Sequence, residues 1–151
     1  MAYLKLFYIQ AMDWVLRTAE KMKKNNRLDA DSWNTFWEET YFDLGGKKPS
    51  TACKGCPKKA AYTLWYLGRI KNTGRNRVDI SINEVVEKFS KNGAYAVLGQ
   101  ELLNNNPNLN KVSLVEKIQK EFKKQTAENP AESDQGGPTL TWILFKEGLL
   151  Q

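Results

Sequence analysis

The chain has 151 residues, of which 41% are apolar and 26% charged, with a formal net charge of +6. Five Trp, six Tyr and six Phe argue against disorder, because large rings stay in solution mainly by being buried. No apolar run approaches the ~20 residues that span a bilayer, and residues 1–11 lack the features of a secretory signal. Two cysteines do not make a disulfide framework. We therefore expect one cytoplasmic domain over residues 1–151.

The chain contains no histidine, which removes the commonest general base and metal ligand. Ser-His-Asp and Cys-His catalysis and His-containing zinc sites are excluded. Carboxylate-only metal chemistry and thiolate chemistry stay open as a second alternative to a binding role. The clusters Glu38, Glu39, Asp43 and Glu84, Glu87 fit charged helix faces better than a two-metal site. We predict no cofactor and no metal.

Helical spacing of apolar residues predicts a first helix over residues 3–24. A second helix follows from about Asp31, with Asp31 or Ser32 as its cap, and ends at Gly45 and Gly46. The apolar face of the first helix consists of Leu4, Phe7, Ala11, Val15, Ala19 and Met22.

The third helix is delimited by proline and glycine. A loop covers residues 47–55, and Pro57 suits a first helical position, where its missing N–H has no intrahelical role. Gly68 suits the position after the last turn. A turn-rich basic loop then covers residues 71–77, and weak alternation over residues 77–82 allows a short strand.

Two capping boxes, Ser81-Ile-Asn-Glu84 and Ser113-Leu-Val-Glu116, predict two further helix starts. The first of these helices should break near Asn92-Gly93 and then resume. An exposed loop over residues 126–137 precedes a last helix that starts at Pro138. The fold class predicted is all-α, a compact bundle of about six or seven helices.

The positive charge of the chain is concentrated between Gly45 and Val78, where there are nine cations and no acidic residue. The rest of the chain has 14 cations against 17 anions, because this block holds nine of the 23 Lys and Arg. A local positive potential attracts phosphate or an acidic protein surface. The nine are Lys47, Lys48, Lys54, Lys58, Lys59, Arg69, Lys71, Arg75 and Arg77.

The start of the third helix is a candidate anion site. Helix N–H groups and the helix dipole favour negative charge there. Gly55 allows close approach of the backbone, and Lys54, Lys58 and Lys59 add charge. A solvated lysine face is an equally good interpretation of the same residues.

The basic loop adds Lys71, Arg75 and Arg77, and arginine can contact phosphate in a bidentate way. On the third helix, Tyr62 and Tyr66 share a stripe with Lys58 and Arg69. If exposed, this stripe offers cations alternating with rings, as nucleic-acid surfaces do. The alternative places both tyrosines at the rim of the core.

Cys53-Lys-Gly-Cys56 has the C-x-x-C spacing of redox and metal motifs. A closed zinc site needs four ligands, and neither a second pair nor a histidine exists. A redox motif of this type expects a βαβ setting. We therefore expect Cys56 and Pro57 to have a structural role at the start of the helix, and we assign no role to Cys53.

The run Lys54-Gly55-Cys56-Pro57-Lys58-Lys59-Ala60, followed by Leu67-Gly68-Arg69-Ile70, resembles an uncharacterised family of small bacterial and phage helical proteins. Members of that family share a Lys-Gly-Cys-Pro-x-x-Ala motif followed by an apolar helix. The resemblance implies a single helical domain and transfers no catalytic role.

The sequence thus favours a binding protein over an enzyme. Its basic surface over residues 47–77 would hold nucleic acid or another phosphate-rich partner. Lys54, Lys58, Lys59, Arg69, Lys71, Arg75 and Arg77 would supply most of the affinity through phosphate contacts. The alternative is a phage-type inhibitor that presents the same face to an acidic groove of a host defence enzyme. Oligomeric state stays open.

Overall fold

A computed structural model of the protein describes residues 2–134 and 136–151, with the side chains of residues 2–10 outside the description. The described residues form helices and no strand, which confirms the predicted all-α class. No helix among them combines the length and apolar character needed to cross a bilayer. The helices are α1 (Ala2–Lys24), α2 (Ala30–Asp43), α3 (Pro49–Ala52), α4 (Gly55–Tyr66), α5 (Ile82–Lys88), α6 (Lys91–Asn105), α7 (Lys111–Thr126) and α8 (Gly137–Lys146).

Helix α1 matches its prediction, although the side chains of Leu4 and Phe7 lie outside the described residues. The cap of α2 differs from the prediction. Asp29, in an extended conformation, accepts a hydrogen bond from the Ser32 N–H at 2.9 Å, so the helix begins at Ala30. That hydrogen bond holds the pKa of Asp29 below its usual value.

The predicted loop over residues 47–55 contains a helical turn, α3, which opens at Pro49. Helix α4 then begins at Gly55, so Pro57 is its third residue and not its first. Proline is tolerated there because the first N–H groups of a helix have no intrahelical acceptor. Gly68 ends the helix as predicted, with φ +68°, and a Cβ there would overlap the Asn76 carbonyl.

The two predicted capping boxes have different outcomes. Ser81 caps α5 as expected, accepting from the Glu84 N–H at 3.2 Å. Ser113 is not a cap, because Asn110 accepts the Ser113 N–H at 2.8 Å and α7 begins earlier. Asparagine and serine are about equally good caps, so local sequence does not decide between them.

The break between α5 and α6 lies at Phe89 and Ser90, slightly before the predicted Asn92-Gly93. Ser90 caps α6 by accepting the Gly93 N–H at 3.0 Å. Gly93 lies so close to α4 that a Cβ there would overlap the Thr63 side chain. This close approach fixes the α5–α6 junction against α4.

Two apolar clusters form the core. The first contains a stack of tryptophans, with ring centroids 4.1 Å apart for Trp14–Trp37, 6.0 Å for Trp33–Trp37 and 5.2 Å for Trp33–Trp65. The second is built from α5, α6 and α7 around residues such as Phe122. Tyr66 packs against both clusters. Helix α4 therefore lies at their boundary and presents its remaining face outward.

Candidate functional site

Arg69, which the sequence assigned to the basic surface, lies in the interior with 1% of its surface exposed. Its guanidinium donates to Gln100 Oε1 at 3.0 Å and to Asp79 Oδ1 at 3.0 Å. Burial lowers its pKa, while Glu101 and Asp79 favour the charged form. The Arg69 guanidinium thus joins the end of α4 to α6. It cannot contribute to an exterior surface without losing these contacts.

Lys58 is also mostly buried, with 9% exposed. Its ammonium lies 3.7 Å from Glu38 Oε1, and its carbonyl accepts a hydrogen bond from Trp33 Nε1 at 3.1 Å. The predicted stripe of Lys58, Tyr62, Tyr66 and Arg69 therefore has its two cations on the inward side.

Arg75 has a structural role at the end of α4. Its Nε and Nη2 donate to the Tyr66 carbonyl at 3.1 and 2.7 Å, and Nε also reaches the Trp65 carbonyl at 3.1 Å. These carbonyls belong to the last turn, where cations are favourable. The guanidinium also lies over the Tyr66 and Trp65 rings, 4.7 and 4.8 Å from their centroids. Arg75 thus fixes the basic loop onto α4 while staying partly exposed.

Arg77 is exposed to solvent, but its guanidinium is held by two hydrogen bonds. Its Nε donates to Asp79 Oδ1 and its Nη1 to the Gln151 carbonyl, each at 3.0 Å. The contact with Arg77 holds the pKa of Asp79 below its usual value.

Four of the nine cations in the basic block therefore hold the fold together. The other five, all exposed, are Lys47, Lys48, Lys54, Lys59 and Lys71.

Two half-buried tyrosines flanked by cations form a row along one face of α4. Lys59, Tyr62 and Tyr66 follow at i+3 and i+4 spacing, which places them on one helix face. The two tyrosine rings are 5.8 Å apart, and Arg75 covers the far end of the second. The exposed stripe predicted from the sequence is therefore not found in that form. Lys58 and Arg69 are buried, and both tyrosines are half-buried at the rim of the core, as the alternative had it. Lys59 and Arg75 flank the two rings instead. We call these four residues the α4 ridge.

A cleft of about 120 Å³ opens beside the α4 ridge. It lies between the start of α2, the middle of α4 and the α5–α6 junction, and Lys59 and Lys88 stand on different walls. The Phe89 ring lies 6.1 Å from that of Tyr62 and 5.4 Å from that of Tyr66. The lining residues are Ala30, Asn34, Lys59, Tyr62, Thr63, Lys88, Phe89 and Ser90.

Tyr62 is half-buried, and its hydroxyl donates to the Leu28 carbonyl at 2.8 Å. Burial, with smaller effects from Tyr66 and Asp29, raises its pKa to about 12. Folding therefore favours the neutral phenol. The associated stability is complete below the unfolded pKa of about 10 and is lost as pH rises from about 10 to 12.

An absorbance titration should detect this shift. The difference between wild type and Tyr62→Phe is expected to follow one phenol with a midpoint near pH 12. A midpoint near 10, the value of a solvated tyrosine, would mean that the ring is not held as described.

The two cysteines, Cys53 and Cys56, lie on either side of the start of α4. Both are thiols, and a hydrogen bond with Glu38 raises the pKa of Cys53, which disfavours its thiolate. Cys56 and Pro57 lie in the first turn of α4. Within the described part of the chain, no group of three or more Cys, Asp or Glu is placed to hold a metal ion.

Comparison with known families gives one match. A model for a family of unknown function, DUF6979, covers residues 13–149, nearly the whole chain. The chain belongs to the DUF6979 family. No curated protein and no solved structure matches it. The expectation of an uncharacterised family is therefore confirmed, and membership in DUF6979 assigns no activity.

Sequence reasoning missed the second wall of the cleft. Nothing in the local sequence indicates that Lys88 and Phe89 face α4, and neither was predicted as a site residue. The predicted helix break could have indicated these two residues, because a break exposes the residues beside it. A further row of exposed lysines on α7, Lys117, Lys120 and Lys124, was also missed.

Proposed function

We propose that this DUF6979 protein is a binding module that holds nucleic acid or another phosphate-rich partner on the α4 ridge and the exposed lysines of the basic block. The carrying observation is that Lys59, Tyr62 and Tyr66 follow one another along one face of α4, with Arg75 over the second ring. Cations contact the phosphate backbone and rings stack on bases, which is the usual composition of surfaces that hold single strands. Its two thiols suit a cytoplasmic location.

The number of exposed cations supports the proposal. Lys59 and Lys71 have no ion pair with any described residue, so their charge is not neutralised within that part of the protein. Lys54, the N-cap of α4, is exposed on the same helix, and the Lys59 side chain folds back to within 4.0 Å of a Cβ at Gly55. Positive charge is thus present at the start of the helix that carries both rings.

A charge-reversal experiment tests this function. Lys59→Glu/Lys71→Glu should weaken binding to labelled single-stranded and duplex oligonucleotides, measured by fluorescence anisotropy between about 50 and 200 mM salt. The slope of log K against log salt should become less steep by about 1.4–1.8, since each phosphate contact contributes about 0.7–0.9. These lysines serve better than Arg75 and Arg77, whose replacement would also disturb the fold.

The matched control is Lys120→Glu/Lys124→Glu, which changes net charge equally on α7. It should retain most of the affinity. Equal losses in both variants would indicate a general charge effect, and the absence of salt-dependent binding to any oligonucleotide would contradict the proposal. That second outcome, with a stoichiometric complex formed by an acidic host enzyme, would favour the inhibitor role suggested by the resemblance to bacterial and phage proteins.

A further inference from the structure

The cleft beside the α4 ridge is too small for a complete cofactor. Its volume of about 120 Å³ is well below the roughly 300–1,000 Å³ of pockets that enclose drug-sized ligands. It fits a single planar ring or a similarly small group. Two aromatic side chains, Tyr62 and Phe89, line it from different helices.

We propose that this cleft receives one unpaired nucleobase, so that the protein selects single-stranded nucleic acid over duplex. The inference rests on the proposed function and specifies its substrate. A base offers a flat π-face that can stack on Tyr62 or Phe89, and such stacking tolerates any sequence. In a duplex the same face is covered by neighbouring base pairs and is not available to the cleft.

The cations of the cleft suit the strand on either side of that base. Lys59 belongs to α4 and Lys88 to α5, so the cleft is lined by lysines from two different helices. Lys88 lies 3.5 Å from Glu84, and both side chains are about half exposed. Exposed pairs of this kind are weak, so phosphate can displace Glu84 from Lys88.

Polar groups at the rim of the cleft can form hydrogen bonds with the edge of a nucleobase. The Asn34 side chain is partly exposed and has no hydrogen bond to any described residue, so its amide is available as donor and acceptor. Asp29, the N-cap of α2, directly precedes the lining residue Ala30, and its negative charge disfavours phosphate at that end. The phosphates are therefore directed toward Lys59 and Lys88.

The test compares strands and variants of the full chain. Wild type should bind a labelled single strand of about 12 nucleotides at least about fivefold more tightly than the corresponding duplex. Phe89→Leu should weaken single-strand binding by about fivefold or more, the lower range for loss of one stacked base, and leave duplex binding almost unchanged. Lys88→Gln should make the single-strand salt slope less steep by about 0.7.

Two control variants isolate the cleft. Phe42→Leu removes a partly exposed ring of α2, eight residues beyond Asn34 and therefore about 12 Å along the helix. Lys120→Gln removes an exposed lysine of α7. Both should bind the single strand as wild type does, and circular dichroism should confirm that each variant is folded.

Equal affinity for single strand and duplex, with Phe89→Leu and Lys88→Gln indistinguishable from wild type, would overturn the inference and leave the proposed function intact. Absence of binding to either form would overturn both. If Phe89→Leu does not fold, the strand preference of wild type and the salt slope of Lys88→Gln decide the question.

Discussion

Trp33→Ala is expected to lower the free energy of unfolding by about 3–5 kcal/mol, the usual loss when a buried tryptophan is truncated. Trp33 is fully buried, and its ring stacks between Trp37 and Trp65. Its indole N–H also donates to the Lys58 carbonyl, so the substitution leaves a cavity and removes a buried hydrogen bond. Urea denaturation followed by circular dichroism measures the change.

Two further variants separate the contributions. Trp33→Phe keeps a ring in the stack but removes the indole donor, so its loss should be smaller than that of the alanine variant. Val112→Ala, at an exposed position of α7, should remain within about 0.5 kcal/mol of wild type. A loss below about 1 kcal/mol for Trp33→Ala would contradict the packing described, because such values are typical of surface positions.

Arg69→Met is expected to reduce stability by about 1–3 kcal/mol, the cost of leaving a buried polar group unsatisfied. Methionine fills much of the arginine volume, so the main effect is on Gln100 Oε1, which loses its donor. Gln100 is itself 1% exposed. Chemical denaturation measures the loss, and oligonucleotide affinity of the folded variant should match wild type because Arg69 is not at the surface.

Arg69→Lys and a double variant sharpen this prediction. Lysine keeps the charge but lacks the planar fork that reaches Gln100 and Asp79 together, so it should restore only part of the stability. Arg69→Met/Gln100→Leu removes both partners and should lose less than the sum of the single changes. Simple additivity of the single losses, or a tenfold loss of nucleic-acid affinity in folded Arg69→Met, would count against the interior role of Arg69.

The sequence predicted helices well where the signal was local. Gly68 ends α4 because only the residues around it decide whether the chain can turn with positive φ. The N-cap residues were harder to predict, because Asp29 and Asn110 compete for the capping position with nearby Asp31, Ser32 and Ser113. Such a choice depends on where packing starts the helix, so the errors were of a few residues.

The candidate site was predicted in part. Tyr62 and Tyr66 could be placed on one face because they lie within a single helix, but the sequence assigned Lys58 to that face and not Lys59. Periodicity could not determine whether Lys58 and Arg69 point outward, because their partners are distant along the chain; Arg69 and Gln100 are 31 residues apart. Phe89 and Lys88 could not be predicted for the same reason, since only the packing of the α5–α6 junction against α4 makes them neighbours of Tyr62.

By itself the sequence determined the all-α class, the approximate helix positions and the concentration of positive charge in one block, because composition and periodicity are properties of the chain alone. Only the tertiary structure decided which of those charges reach solvent. Burying a cation is unfavourable unless a partner compensates it, and Glu38, Asp79 and Gln100 become partners only after the helices pack. The same packing leaves Lys59 exposed beside two tyrosines and creates the cleft between α4 and the α5–α6 junction.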